Sequence, residues 1–282
     1  MTLATTRELV SAAVAAGRAV PAFNVITLEH AEAIVEGAGR AQTPVLLQLS
    51  ENAVRYHGAL EPLLAACREV ARAATVPVAI HLDHVEDAQL IDHALAIATE
   101  FGVGSIMVDA SKLDYQANVA ATADVAVRAH TLGLWVEAEL GEIGGKDGAH
   151  APGVRTIPAE ARAFVAATGV DGLAVAVGSS HAMHDRSASL DFELIAELAG
   201  EVAVPLVLHG SSGVADADIR RAVQAGIHKV NIGTALNLSW TGAVRAWLAE
   251  HPDDVDPRKY SAHARGETAA VVAHLCEVVS AF

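Results

Sequence analysis

Eight short apolar runs, each followed by a helical pattern, alternate along nearly the whole chain, and this alternation limits the possible folds more than any other feature. The runs are VPAFNV (20–25), PVLLQLS (44–50), VPVAIHLDH (76–84), SIMVDAS (105–111), LWVEAELG (134–141), GLAVAVGSS (172–180), VPLVLHGSSG (204–213) and KVNIGTAL (229–236). Their starts are spaced by about 24 to 38 residues, the length of a strand, a helix and two loops. Helical periodicity fills 28–42, 62–74, 87–102, 119–133, 191–200 and 216–226, with Gly102 and Gly133 as stop signals. Further helices over about 237–250 and 261–280 extend past the eighth strand. Hydrophobic residues make up 52% of the chain and aromatics only 4%. A core of Ala, Val, Leu and Ile on that scale suits buried parallel strands. The expectation is an α/β fold: one (β/α)8 barrel of the TIM type spanning 1–282, a single catalytic domain with extra C-terminal helices. A doubly wound sheet is the competing architecture. It needs a glycine-rich phosphate loop after the first strand, and AFNVITLEH has none.

Bulk properties exclude several function classes. The net charge is −15, from 19 basic and 34 acidic residues, which argues against nucleic acid or an anionic membrane as partner. A local pocket can still oppose that sign for a small anion. No run reaches ~18 apolar residues without charge, so no membrane span is expected. The N-terminal twenty residues lack a signal-peptide core. Cys67 and Cys276 sit in apolar helical patterns and read as buried thiols in a reducing, cytoplasmic setting.

Barrels of this type carry their chemistry at the C-terminal ends of the strands, and here all eight runs end in polar groups. These include Asn24, Gln48 and Ser50, then His81, Asp83 and His84, then Asp109 and Ser111, then Glu137 and Glu139. Later runs end in Ser179, Ser180 and His181, in His209 to Ser212, and in Asn231 and Thr234. Three imidazoles, His84, His181 and His209, follow strands from distant parts of the chain. Convergence of the three with one position left open describes a catalytic Zn2+ site. Asp83 beside such a site either orients a ligand or transfers a proton. Glu139 and Asp109 either support a second cation or pair structurally, and His81 is a candidate partner of a ligand. HGSSG (209–213) ahead of a helix, and NIGTAL (231–236), offer free backbone N–H groups at helix starts and so read as phosphate cradles. The stretch 141–158, rich in Gly and Pro, reads as a long loop after the fifth strand on the catalytic face.

HLDH (81–84), VEAELGEIGG (136–145), AVGSSH (176–181), LHGSSG (208–213), KVNIGT (229–234) and DPRKY (256–260) keep an order and spacing that resembles the class II, zinc-dependent ketose-bisphosphate aldolases. The fructose- and tagatose-bisphosphate subgroup is the most similar, and PAFNV (21–25) and QLS (48–50) fit it as well. The resemblance implies His84, His181 and His209 as zinc ligands, Asp83 as the acid–base residue, and Glu139 at an accessory monovalent or divalent cation. It implies that Ala182, Gly210, Ser211, Ser212, Asn231, Ile232, Gly233 and Thr234 hold dihydroxyacetone phosphate, and that Asn24 and Ser50 face the aldehyde half. It further implies a sugar-phosphate substrate, a homodimer or homotetramer, and a retro-aldol cleavage that uses a metal rather than a Schiff-base lysine.

The chain departs from the family pattern in three places. The usual acidic loop after the fifth strand reads GGKDG, with Lys146 in place of a Glu or Gln and Asp147 in place of the proton-transfer Glu. After His181 the chain reads HAMHDRS, without the Lys common in fructose enzymes; Arg186 follows. Gly233 replaces a polar residue in NIGT. These changes bear on the aldehyde half and leave room for two alternatives: a different phosphorylated ketose, such as a deoxy- or sulfo-sugar, or a weakly active sugar-phosphate-binding homologue.

Overall fold

The computed structural model of the chain describes residues 3–140, 155–179 and 186–280. The eight strands are β1 (Val20–Asn24), β2 (Val45–Ser50), β3 (Val78–Val85), β4 (Val103–Val108), β5 (Trp135–Glu139), β6 (Gly172–Ala174), β7 (Leu206–Leu208) and β8 (Ile227–Ile232). They pair in sequence order, all parallel, and β8 returns to β1, so the barrel is closed. Around it lie α2 (Leu28–Arg40), α3 (Glu51–His57), α4 (Glu61–Ala73), α5 (Ala88–Phe101), α6 (Tyr115–Thr131), α7 (Pro158–Thr168), α8 (Phe192–Glu201), α9 (Asp216–Ala225), α10 (Thr234–Glu250) and α11 (Pro257–Ser280); α1 (Thr6–Ala15) precedes the first strand. Among the described residues no helix is long and apolar enough to cross a membrane.

The two-residue period of each strand sorts its side chains into two cores. Val45, Leu47 and Leu49, or Val78, Ile80 and Leu82, face the helices in the larger cluster. Leu46, Ala79, Met107, Trp135, Ala174 and Val207 form a second cluster that also contains Leu9, Val10 and Ala13 of α1. This helix therefore closes the N-terminal mouth. A Thr5–Glu8 capping box starts it, and the Ala4 N–H bonds the Val78 carbonyl at 2.8 Å. Above these apolar residues the same inward positions turn polar: His81 and Asp83, Glu137 and Glu139, Lys229 and Asn231. The closed wall thus carries these polar groups toward one mouth.

The predicted helices recur within a few residues of their expected limits. Three elements were not predicted, α1, α3 and α7. α1 precedes the strand–helix repeat, α3 is a seven-residue addition between β2 and α4, and α7 is the repeat's own helix between β5 and β6, directly after the Gly- and Pro-rich stretch 141–158. β6 and β7 are three residues each, much shorter than the apolar runs that announced them. The β6 run continues past its ladder, with Val175, Ala176 and Val177 all buried and their backbone bonded to Val207, Thr156 and Asp191. Cys67 and Cys276 are buried, free thiols, and burial pushes both up to about 12.

Candidate active site

His84 is aimed by an irregularity. On a regular strand, with His81 and Asp83 pointing inward, His84 would face the helices. The β3–β4 register shifts between Leu82 and Val85, and His84 takes a left-handed φ of 50°. That bulge rotates its ring toward the mouth. His84 Nε2 then lies 2.9 Å from His209 Nδ1, with the two rings nearly perpendicular at 86°. On its other edge, His84 Nδ1 meets Asp109 Oδ2 at 2.8 Å. Ser111 Oγ donates to the second oxygen of Asp109 at 2.6 Å. Asp83, His84 and His209 form one group of donor atoms within 4.8 Å of one another, and His84, Asp109 and Glu139 form another.

This cage is built for a cation. Burial, the largest single influence, works against a charged His84 imidazole. The charge of Asp83, the Asp109 hydrogen bond and the charges of Glu139 and Asp109 together outweigh it and push the ring up to about 10. Burial likewise raises Asp109, but the hydrogen bond to His84 and that ring's charge, with the Ser111 bonds, hold its carboxyl well below the usual range. Two imidazole nitrogens on a tetrahedral ion at ~2.0–2.1 Å stand roughly 3.3 Å apart, close to the observed spacing. The donor chemistry, nitrogens ringed by carboxylates, fits a divalent metal.

Asp83 is 4% exposed and sits among three amides. Asn24 Nδ2 and Gln48 Nε2 donate to Asp83 Oδ2 at 3.2 and 3.4 Å, and Asn231 Nδ2 donates to Oδ1 at 3.2 Å. Gln48 also bonds Asn24 Oδ1 at 2.8 Å. The barrel register places these groups, with Asn24 beside Gln48 and Ser50 beside Asp83. The backbone after β3 is held by Glu51, whose Oε2 accepts the Glu86 and Asp87 N–H groups at 2.6 and 3.0 Å.

The expected phosphate loops sit where β7 and β8 end. Gly210 adopts φ 67°, a left-handed turn that favours glycine, and a short 3₁₀ turn follows over Ser211–Gly213. Ser211 Oγ donates to the Asn231 carbonyl at 2.6 Å, and Ser212 Oγ accepts the Ala235 N–H at 3.1 Å. Both hydroxyls therefore stitch the two loops together. Ile232 is buried in the core and pairs with Phe23 of β1. Gly233 caps α10 and Thr234 begins it. Ser50 caps α3 through the Ala53 N–H at 3.2 Å. His181, Ala182 and Asp147 lie outside the described residues. Arg186 pairs with Asp216 at 2.5 Å, and Arg258 pairs with Asp256 at 2.6 Å.

Sequence reading missed how deep the polar network runs. His209 Nε2 meets Glu137 Oε1 at 2.9 Å. Lys229 Nζ lies 2.8 Å from Glu137 Oε2 and donates to Asn231 Oδ1 at 2.7 Å. His81 bonds Ser105 Oγ through Nδ1 at 2.7 Å, and Ser105 bonds Thr6 Oγ1 at 2.6 Å. Burial and the charge of Lys229 hold His81 well below its ordinary range, against Glu137. The available signal was a lysine at an inward position of an otherwise largely apolar strand, IHKVNI.

The sequence model of class-II fructose-bisphosphate aldolase matches residues 4–281. The chain belongs to this family. The aldolase shares 31% identity with the YdjI aldolase of Escherichia coli K12, over 98% of this chain and 97% of that one, at a TM-score of 0.82. With a protein provisionally named fructose-1,6-biphosphate aldolase from Coccidioides immitis it shares 29% identity over 97% and 95% of the two chains, at a TM-score of 0.85. The fructose-bisphosphate aldolase of Campylobacter jejuni, at 23% identity and a TM-score of 0.84 over 97% and 93%, shares the fold. The enzyme is thus a carbon–carbon lyase of the metal-dependent class, acting on a sugar phosphate.

Proposed function

We propose that this aldolase reversibly cleaves a ketose 1,6-bisphosphate of the fructose or tagatose type, with Zn2+, to dihydroxyacetone phosphate and an aldehyde such as glyceraldehyde 3-phosphate. The observation that carries the reading is the approach of His84 Nε2 to His209 Nδ1 at 2.9 Å, in one donor group with Asp83. In this reading His84, His209 and His181 hold the zinc, and Glu139, close to His84 and Asp109, serves an accessory cation. When bound, Zn2+ supplies a Lewis acid for the charge that develops as the C3–C4 bond breaks.

The protein's own groups do the rest. Asp83 takes the C4 hydroxyl proton during cleavage and returns it during condensation. Its three amide partners hold one oxygen pair in a fixed plane, so the proton moves over a set path. Asn231 touches the carbon skeleton beside it. Asp147 exchanges a proton with the ketose fragment. Gly210, Ser211, Ser212, Gly233 and Thr234, with Ala182 and the Ile232 backbone, bind the ketose phosphate through N–H groups at the loop and helix starts. Asn24 and Ser50 face the aldehyde half. One feature supports a second reading, a different phosphorylated ketose. Gly233 places no side chain near Asn24, where a Cβ would stand 3.0 Å from Asn24 Oδ1, so a polar contact that a side chain at 233 would make is missing there. The reading extends to one catalytic domain over 1–282, supported by the family match, to a homodimer or homotetramer, and to a cytoplasmic setting, supported by the two buried free thiols.

The test is release of dihydroxyacetone phosphate from fructose and tagatose 1,6-bisphosphates by zinc-loaded protein. A chelator should abolish it. Asp83→Ala should lower turnover by several orders of magnitude with zinc still bound. Turnover that survives chelation, or near-normal activity of the variant, would refute the assignment.

A further inference from the structure

A lysine buried inside a barrel calls for a reason. Lys229 is wholly buried, and a methionine of similar length would pack there without the desolvation cost of a charge. Its ammonium forms an ion pair with Glu137 Oε2 at 2.8 Å and donates a hydrogen bond to Asn231 Oδ1 at 2.7 Å. We propose that Lys229 is a positioning residue that fixes a metal ligand and the acid–base carboxylate together, through Glu137 behind His209 and through Asn231 beside Asp83. The inference rests on the metal reading of His84 and His209 given above.

Donor counting carries the argument on both arms. On the first, Glu137 faces an ammonium with one oxygen, so its other oxygen accepts from His209 Nε2 at 2.9 Å. The ring hydrogen is then committed to Nε2, and the Nδ1 lone pair points at the position shared with His84 Nε2. An orienting acceptor on the far nitrogen is the usual device for aiming a metal-binding imidazole. Asn231 Nδ2 also lies 3.1 Å from His209 Nε2. With the Nε2 hydrogen on Glu137, this is a side contact, and the amide hydrogens serve Asp83. His81 does not substitute for the lysine, because its Nε2 is 3.9 Å from Glu137 Oε2.

On the second arm, the lysine decides which way Asn231 points. With Oδ1 on the ammonium, Nδ2 must face Asp83 Oδ1, where it stands at 3.2 Å. The flipped amide would set an NH2 against the ammonium and an oxygen against a carboxylate oxygen, two repulsive contacts. One cation therefore excludes the wrong tautomer of His209 and the wrong rotamer of Asn231.

The experiment measures Co2+ and Zn2+ affinity by competition with a chromophoric chelator, together with kcat at saturating metal and the melting temperature of the metal-free chain. Lys229→Met should weaken metal binding ~10–100-fold and lower kcat even when metal is saturating. Glu137→Gln, nearly isosteric and so gentler on folding, should weaken metal binding with a smaller loss of kcat at saturation. The double variant should bind metal no more weakly than the worse single one, as expected of residues on one path. Unchanged metal affinity in both single variants, with only a lower melting temperature, would reduce Lys229 to a packing role and overturn the proposal. Wild-type protein that binds neither ion, or binds it equally well after His209→Ala, would instead remove the metal reading beneath it.

Discussion

His84 and Gly233 show how single backbone positions set this site. A non-glycine residue at φ 50° costs backbone energy, and the ring gains contacts to His209 and Asp109 that a regular strand would deny it. Gly233 has the opposite character. Its φ of −130° suits any residue, so its value lies in the missing side chain. A Cβ there would stand 3.0 Å from Asn24 Oδ1 and 3.3 Å from Asn24 Cγ, and Asn24 is one of the three amides on Asp83. Gly233→Ala should therefore shift Asn24 by a few tenths of an ångström and lower kcat/KM by about tenfold, with stability changed by less than about 1 kcal/mol. Steady-state kinetics beside thermal melts check this; full activity would show that Asn24 does not help to place Asp83.

At the scale of elements, the repeating strand and helix pattern was readable because each unit follows the same period, whereas α1 and α3 stand outside it and α7, inside it, follows directly on the Gly- and Pro-rich stretch 141–158. α2 offers a test of a local design. His30 Nδ1 accepts the Thr27 N–H at 3.3 Å, and the ring packs against Trp240 of α10 at 4.9 Å. Burial lowers its pKa from the ordinary 6.5, with Glu29 opposing. The folded chain thus holds the ring neutral at pH values where the unfolded chain would protonate it. Its contribution to stability is complete above about pH 6.5 and is lost as the pH falls below that value. His30→Gln keeps an acceptor for Thr27 without a titrating ring. The melting temperature of the variant should fall less than that of the wild type between pH 7.5 and 5. Parallel melting curves for the two proteins would remove His30 from the acid limb.

For the whole molecule, folding and metal binding are linked, because the donor atoms come from separate strands that only the closed barrel brings together. An ion at about 100 times its Kd should stabilise the chain by ~2.7 kcal/mol, a rise in melting temperature of roughly 5 °C or more for a chain of this size. Calorimetry with and without chelator measures it. His84→Ala and His209→Ala should abolish the shift, and an equal shift in those variants would place the ion elsewhere.

The sequence by itself determined the barrel, the family, and which residue types stand at the strand ends. Each follows from local period or from motif order, and both are written along the chain. Asp83, His84, His209 and Glu139 were legible as polar stops on apolar runs. Only the tertiary structure decided what those residues do to one another. The bulge that turns His84 inward, the commitment of Ser211 and Ser212 to stitching loops, and the Lys229 bridge from Glu137 to Asn231 depend on strand register around a closed wall. Residues 137 and 229 are far apart in the chain and meet only because β5 and β8 share one interior, where a buried charge must find its partners.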